Sequence, residues 1–188
     1  MGERPGRQGG QDGRVTTYLA FLRAINLGAK RKFPKDDIVA AVEGLGWTDV
    51  RTHINTGNVR FDCPLRSRAK VEAALEQAFA ERAGFEVPTI VLTPAELREV
   101  AERAEAFGHD GAHYVSFLKQ EPSPEVVRRL EELSSAEAVA KVGGRAVHLM
   151  LDTAYHQTRL GNATVEKHLG VATNRNLTVV RTLVEKWC

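Results

Sequence analysis

The sequence predicts an α+β protein made of duplicated ferredoxin-like units, each with the element order β-α-β-β-α-β, and a C-terminal helix. A Tyr-x-x-Phe-Leu-cation motif occurs at residues 18–23 and again at residues 114–119. Behind each copy come a helical stretch and two strand-like runs. A single long repeat indicates a duplicated unit, because solenoid repeats are shorter and more numerous.

Three segments follow from this interpretation. Residues 1–14 are rich in glycine and lack an apolar stretch, which predicts a disordered lead-in. The first α+β repeat, with a linker helix, takes residues 15–106. The second α+β repeat, with the C-terminal helix, takes residues 107–188.

The first unit opens with a nearly continuous apolar run at residues 17–23, which predicts a strand buried on both faces. Pro34 suits the first turn of a helix, and apolar residues then recur at helical spacing until Gly46. Alternating apolar and polar residues predict two strands joined by a tight turn at residues 55–58. We expect Gly57 to adopt a positive φ in that turn.

The remainder of the first unit is a helix, a strand and a linker helix. An apolar stripe predicts a helix at about residues 67–83, and an apolar run predicts a strand at residues 87–92. Thr93 and Glu96 form a capping box around Pro94, so the linker helix begins there.

The second unit repeats this order as far as its last strand. It contains a strand at residues 114–119, a helix at about 124–133, and a hairpin of residues 138–142 and 146–151. A helix near residues 159–169 ends at Gly170. A last helix at roughly 175–186 stands where a final strand would be expected.

Composition excludes several classes of protein. The hydrophobic content of 43% and the charged content of 27% are those of an ordinary globular protein, and no apolar run reaches the ~20 residues that span a bilayer. The net charge of +2 is too small for a protein specialised in binding polyanions. Two cysteines favour reduced thiols in a cytoplasmic protein over a disulfide scaffold.

Motifs of known catalytic sites are absent from the sequence. There is no phosphate-binding P-loop, no GxSxG elbow and no GxGxxG after a strand. The six histidines are scattered, and zinc sites need three or four nitrogen or sulfur ligands close together. The sequence therefore predicts neither a metal nor a cofactor.

A basic loop follows the first strand. It contains Arg23, Asn26 and Lys30, and from Arg23 to Lys35 there are five cations and no acid. Ligands of α/β proteins often bind at such strand ends, where a helix also begins. A solvated basic loop without a ligand is the alternative explanation.

Two further polar clusters have structural explanations beside the functional one. Asn55 and Asn58 flank the expected turn, for which asparagine and glycine are suited. Residues 173–176, which include Asn176, stand at the start of the last helix, where Thr173 or Asn174 can cap it. Arg175 is unusual in the first turn of a helix, because the helix dipole disfavours a cation at that end.

The motifs together resemble the Domain of Unknown Function 1697 family of bacteria. The similar stretches are residues 22–28, 45–47, 50–52 and 57–61, and near the C-terminus 159–160, 166–167, 169–170 and 173–176. The resemblance covers about residues 16–183. It implies a duplicated α+β fold in a soluble bacterial protein, and it implies no activity.

We expect a protein that binds a small anionic ligand, with phosphate-bearing compounds among the candidates, because arginine offers paired donors to an oxyanion and asparagine orients it. The expected ligand-binding residues are Arg23, Asn26, Lys30, Asn55, Asn58, Arg159, Arg175 and Asn176. A nucleic-acid-binding module, a protein-interaction domain and an enzyme remain alternatives, whereas a membrane partner is not expected. The ligand hypothesis predicts that the basic loop and the residues around Arg175 meet in the fold.

Overall fold

The structure, a computed structural model, describes residues 15–28, 30–55 and 57–188. Within these ranges the chain forms eight strands and six helices. The predicted lead-in of residues 1–14 lies outside the described residues.

The first repeat consists of four strands and three helices. In chain order they are β1 (Thr16–Leu22), α1 (Lys35–Gly44), β2 (Thr48–His53), β3 (Asn58–Cys63), α2 (Arg68–Ala83), β4 (Thr89–Leu92) and α3 (Pro94–Phe107). The capping box of Thr93 and Glu96 is present at the start of α3, as predicted.

The second repeat also consists of four strands and three helices, in the same order. Its elements are β5 (Ala112–Leu118), α4 (Pro124–Glu131), β6 (Ala138–Gly143), β7 (Ala146–Leu151), α5 (Asn162–Leu169), β8 (Ala172–Asn176) and α6 (Leu177–Trp187).

The prediction that a helix replaces the last strand is wrong. Strand β8 is present and pairs with β5, from Leu118 opposite Ala172 to Tyr114 opposite Asn176. The last helix begins at Leu177, with the Asn176 side chain accepting a hydrogen bond from the Val179 amide at 2.8 Å. Arg175 therefore lies in strand β8 and not in the first turn of a helix. The unfavourable interaction with a helix dipole that its predicted position implied does not arise.

Both sheets have equivalent strand orders, β2-β3-β1-β4 and β6-β7-β5-β8, and all strand pairs are antiparallel. The strands that carry the repeated motif, β1 and β5, occupy the same central position in their sheets. The fold is thus a duplicated ferredoxin-like α+β fold, in agreement with the prediction.

Strand β1 is buried on both faces because each face contributes to a different core. Tyr18, Ala20 and Leu22 belong to the core that α1 and α2 cover. Leu19 and Phe21 belong to a core that both repeats share. Helices α3 and α6 complete this shared core with the apolar residues Leu97, Ala101, Ala104, Leu177, Val180 and Leu183.

The turn between β2 and β3 contains Gly57 at a φ of 78°, which confirms the predicted conformation of this residue. A Cβ atom at this position would lie 2.7 Å from the Cβ of Leu22 and 2.9 Å from the Cδ1 of Ile25. Glycine is therefore required both by the backbone angle and by the close approach of the first core.

Both cysteines, Cys63 and Cys188, are free thiols, and burial raises the pKa of each. Of the helices that the structure describes, none is long and apolar enough to cross a membrane.

Candidate functional site

The loop between β1 and α1 has an unusual backbone. Ala24 and Asn26 have φ angles of 57° and 55°, and Gly28 has a φ of 68°. A positive φ at a non-glycine residue is uncommon and costs on the order of 1–3 kcal/mol. Such a conformation persists only where the surrounding structure holds it in place.

The side chain of Asn26 holds this loop through three hydrogen bonds. Its Oδ1 accepts from the Phe33 amide at 2.9 Å, and its Nδ2 donates to the Phe33 carbonyl at 3.3 Å. The same Nδ2 donates to the Asn55 carbonyl at 2.7 Å, which ties the basic loop to the β2–β3 turn. Phe33 is fully buried and fixes the far end of the loop in the first core.

Arg31 stabilises the loop through contacts with backbone carbonyls and an aromatic ring. Its Nε donates to the Ala24 carbonyl and its Nη2 to the Glu86 carbonyl, both at 2.7 Å. Its guanidinium carbon also lies 4.6 Å from the centre of the Phe85 ring. Arg31 is thus a structural cation, and its contacts leave the lysines of the loop as the groups that face solvent.

Two of these lysines, Lys32 and Lys35, line a cleft of ≈ 710 Å³ beside the start of α1. The residues that line it are Asn26, Gly28, Lys32, Pro34, Lys35, Asp36 and Asn55. Lys30, Lys32 and Lys35 are exposed, and none of them forms an ion pair with another residue in the described ranges. A cleft of this size, lined by two lysines and one aspartate, can accommodate a small anion on the side of the lysines.

Arg23, at the end of β1, is engaged by the other repeat. Its Nε and Nη2 donate to the two carboxylate oxygens of Glu166 at 2.5 and 2.8 Å, and Glu166 lies on α5. These hydrogen bonds to the carboxylate raise the pKa of Arg23. The pair joins the basic loop to the second repeat.

Arg175 is buried between the two repeats. Its Nη2 donates to the carbonyls of Leu22 and Gly57 at 3.1 and 3.2 Å, and its Nε donates to Oδ1 of Asn58 at 2.7 Å. Burial lowers the pKa of Arg175 to about 10, so the guanidinium remains protonated at neutral pH. Asn58 is also buried, and its side-chain Nδ2 donates to the His53 carbonyl at 3.0 Å.

The eight expected ligand-binding residues therefore fall into four places. Asn26, Lys30 and Asn55 lie in or beside the cleft, whereas Arg23, Asn58 and Arg175 make the contacts between the repeats that are described above. Asn176 is exposed and caps α6. Arg159 lies before α5, where its carbonyl accepts a hydrogen bond from the Thr164 hydroxyl at 2.5 Å.

Lys32 and Lys35 line the cleft although they are not among the expected binding residues. The run of five cations from Arg23 to Lys35 contains both of them, but it does not distinguish cations that bond within the chain from those that face solvent.

A second polar cluster, which the sequence does not indicate, lies in the second repeat. His113 and His148 are both buried, and Nε2 of the first lies 3.0 Å from Nδ1 of the second. Burial lowers the pKa of each to about 4, so both are neutral at pH 7. No group of three or more candidate metal ligands occurs among the described residues.

Comparisons with known proteins agree with the motifs and the fold. A family model described as a protein of unknown function (DUF1697) matches residues 15–148. A solved structure of a conserved bacterial protein from Streptococcus pneumoniae is similar, with a TM-score of 0.74 and 22% identity. The similarity covers 92% of this chain and 98% of that chain, and at this identity it concerns the fold alone. No curated protein matches the chain.

Proposed function

We propose that this chain, which belongs to the DUF1697 family, binds a small phosphate-bearing ligand in the cleft between the basic loop and the β2–β3 turn. The observation that supports the proposal is the combination of exposed lysines with a backbone fixed in an uncommon conformation. Lys32 and Lys35 line the cleft, and Lys30 lies on the same loop. Asn26 holds the loop through hydrogen bonds to Phe33 and Asn55.

The fixed backbone matters because binding otherwise has to order the loop. A loop that is already in its bound conformation loses less entropy when a ligand binds. Weak charge interactions are then sufficient to give measurable affinity. Lysine ammonium groups bind phosphate as point charges. Asp36 also lines the cleft and opposes an anion, which favours a ligand held on the side of the lysines.

In this proposal Asn26, Lys30 and Asn55 belong to the ligand site together with Lys32 and Lys35. Arg23, Asn58 and Arg175 support the site by fixing the position of the second repeat relative to the end of β1 and the β2–β3 turn. Asn176 and Arg159 stand outside it.

A ferredoxin-like RNA-binding module presents an open sheet face to its ligand. Here the central strands β1 and β5 contribute residues to the shared core, and β1 is also covered on its other face. Because the sheet faces at these strands are covered, a small anion in the cleft is a better supported ligand than a nucleic acid on the sheet.

The proposal is tested by titrating inorganic phosphate into wild type and into the Lys32→Ala/Lys35→Ala variant by calorimetry. At an ionic strength of about 0.01 M, where charges are poorly screened, we expect the double variant to bind at least about tenfold more weakly. Lys70→Ala/Lys186→Ala removes two exposed lysines outside the cleft, one on α2 and one on α6, and is the matched control. Equal losses in both variants, or no binding by wild type, would refute the proposal.

A further inference from the structure

A small pocket lies between the two repeats. The first repeat lines it with residues of α2, β4 and α3, among them the apolar Leu92 and Val100. The second repeat lines it with Glu121 and with residues of β6, β7 and the turn between these strands. The described residues that line this pocket do not overlap with those that line the cleft of the basic loop.

Three buried nitrogen atoms of residues that line this pocket have no hydrogen-bond partner among the described residues. They are Nε of Arg68, Nε of Arg145 and Nε2 of His148. His148 is fully buried, and the side chain of Arg145 is 9% exposed. Buried polar atoms without a partner are rare in native proteins, and each needs a specific explanation. Three such atoms around one pocket indicate an occupant that supplies hydrogen-bond acceptors.

The guanidinium groups at the pocket are held in place by other contacts. Both Nη atoms of Arg145 donate to backbone carbonyls, and Nη2 of Arg68 donates to the Glu96 carboxylate. Arg103, a third arginine that lines the pocket, lies against Gly143, where a Cβ atom would be 1.4 Å from its Nη1. Because arginine carries donors and no acceptor, an occupant satisfies each free Nε–H only with an acceptor atom.

His148 supplies a third donor through its contact with His113. Nε2 of His113 lies 3.0 Å from Nδ1 of His148, so one of these nitrogens carries a hydrogen and the other accepts it. When His113 donates, Nε2 of His148 carries the hydrogen of its neutral ring and donates to the pocket. An acceptor in the pocket stabilises this tautomer.

The carboxylates around the pocket fall into two groups. Glu96 pairs with one of the two buried guanidinium groups, and Glu72 lies 3.7 Å from Nη1 of Arg145. Glu99 and Glu121 line the pocket, are exposed, and form no ion pair with another described residue. The buried wall therefore offers N–H donors and the exposed wall offers negative charge, which matches a ligand with a carboxylate and a cationic group.

We propose that this pocket binds a small free α-amino acid. Its carboxylate accepts hydrogen bonds from Arg68, Arg145 and His148, and its ammonium group faces the exposed glutamates. The pocket volume of ≈ 170 Å³ corresponds to about six non-hydrogen atoms at about 30 Å³ each, which is the size of alanine. The inference does not depend on the proposed function, since the two sites use different residues.

The test is a set of ¹H–¹⁵N NMR titrations of the full chain with L-alanine, with propionate, which lacks the ammonium group, and with ethylamine, which lacks the carboxylate. We expect L-alanine to shift the Val100, Gly143 and Gly144 amides saturably. Each analogue should bind at least about tenfold more weakly, because it loses charge-assisted hydrogen bonds. Equal binding of L-alanine and propionate, or no saturable shift of these amides with L-alanine, would overturn the inference.

Variants of the exposed wall test the same assignment without disturbing the core. Glu99→Gln/Glu121→Gln should bind L-alanine about fivefold more weakly and propionate at least as tightly as wild type. Glu102→Gln/Glu132→Gln removes two exposed carboxylates outside the pocket and is the matched control, with both affinities unchanged. An unchanged affinity of Glu99→Gln/Glu121→Gln for L-alanine, or an equal loss in the control, would overturn the inference.

Discussion

Phe21 and Phe117, the aromatic residues at the same place in the two copies of the repeated motif, lie with ring centres 4.2 Å apart. Both are fully buried in the core that the two repeats share. The duplicated strand thus supplies one of the contacts that join the duplicated units. Since each ring completes the environment of the other, the two repeats should stabilise one another.

We predict that Phe21→Ala and Phe117→Ala each lower the free energy of unfolding by about 3–5 kcal/mol. In a double-mutant cycle the two changes should show a coupling of about 0.5–1.5 kcal/mol, because the rings contact each other directly. Urea denaturation of the four proteins measures it. Phe79→Ala, in the first core, is the control and should be additive with Phe117→Ala; no coupling between Phe21 and Phe117 would contradict the stated contact.

Gly57→Ala should destabilise the protein by more than Gly144→Ala. Both glycines have a positive φ, of 78° and 56°, so both substitutions strain the backbone. A Cβ at position 57 would also collide with Leu22 and Ile25, whereas one at position 144 meets no atom within 4 Å. We expect a loss of about 1 kcal/mol at Gly144 and at least about 2 kcal/mol at Gly57 in urea melts. Equal losses of stability in the two variants would show that Leu22 and Ile25 move away from a Cβ at position 57 without a cost in free energy.

Arg175→Leu should cost at least about 2 kcal/mol of stability, because it removes charge-assisted hydrogen bonds from buried carbonyls of Leu22 and Gly57. Arg129→Ala removes an exposed arginine, paired with Glu125 on α4, and should cost no more than about 0.5 kcal/mol. Thermal or urea unfolding measures both. A loss of stability in Arg175→Leu as small as that of Arg129→Ala would refute the role of Arg175 in joining the repeats.

The buried pair of His113 and His148 predicts a loss of stability in mild acid. Their pKa values fall from 6.5 to about 4 in the folded protein, so between these pH values the unfolded chain binds more protons. The contribution of the pair is complete above pH 6.5 and declines as the pH falls toward 4, by at most about 1.4 kcal/mol per pH unit for each histidine. The charged or titratable neighbours that influence them are His109, Arg103, Arg181 and Glu105.

Urea melts at pH 7 and pH 5 of wild type and of the His113→Phe/His148→Phe variant test this expectation. The variant should lose less stability between the two pH values than wild type. Titration of all other groups is common to both proteins, so parallel losses would show that the pair is not responsible.

Much of the fold is predictable because its signals are local. The near-continuous apolar run of β1, the capping box of Thr93 and Glu96, and Gly57 in the turn each act through neighbouring residues. Strand β8 was not predictable in this way. Its Thr173 and Arg175 are buried polar residues, and their hydrogen-bond partner, the Leu22 carbonyl, lies in the other repeat.

The candidate site was predictable only in part for the same reason. The sequence indicates a basic loop and the involvement of Asn26, but the division of its cations depends on distant groups. Arg23 is engaged by Glu166 and Arg31 by the Glu86 carbonyl, and both partners lie far away in the chain.

The most direct test of the phosphate-binding cleft is a titration of the ¹⁵N-labelled protein with inorganic phosphate, followed by ¹H–¹⁵N NMR at low ionic strength. The proposal predicts saturable shifts of the Asn26, Gly28, Lys32 and Asn55 amides, which belong to the residues lining the cleft. Those shifts should weaken as salt screens the lysines. Unchanged cleft amides at saturating phosphate, or shifts confined to amides elsewhere in the chain, would contradict it.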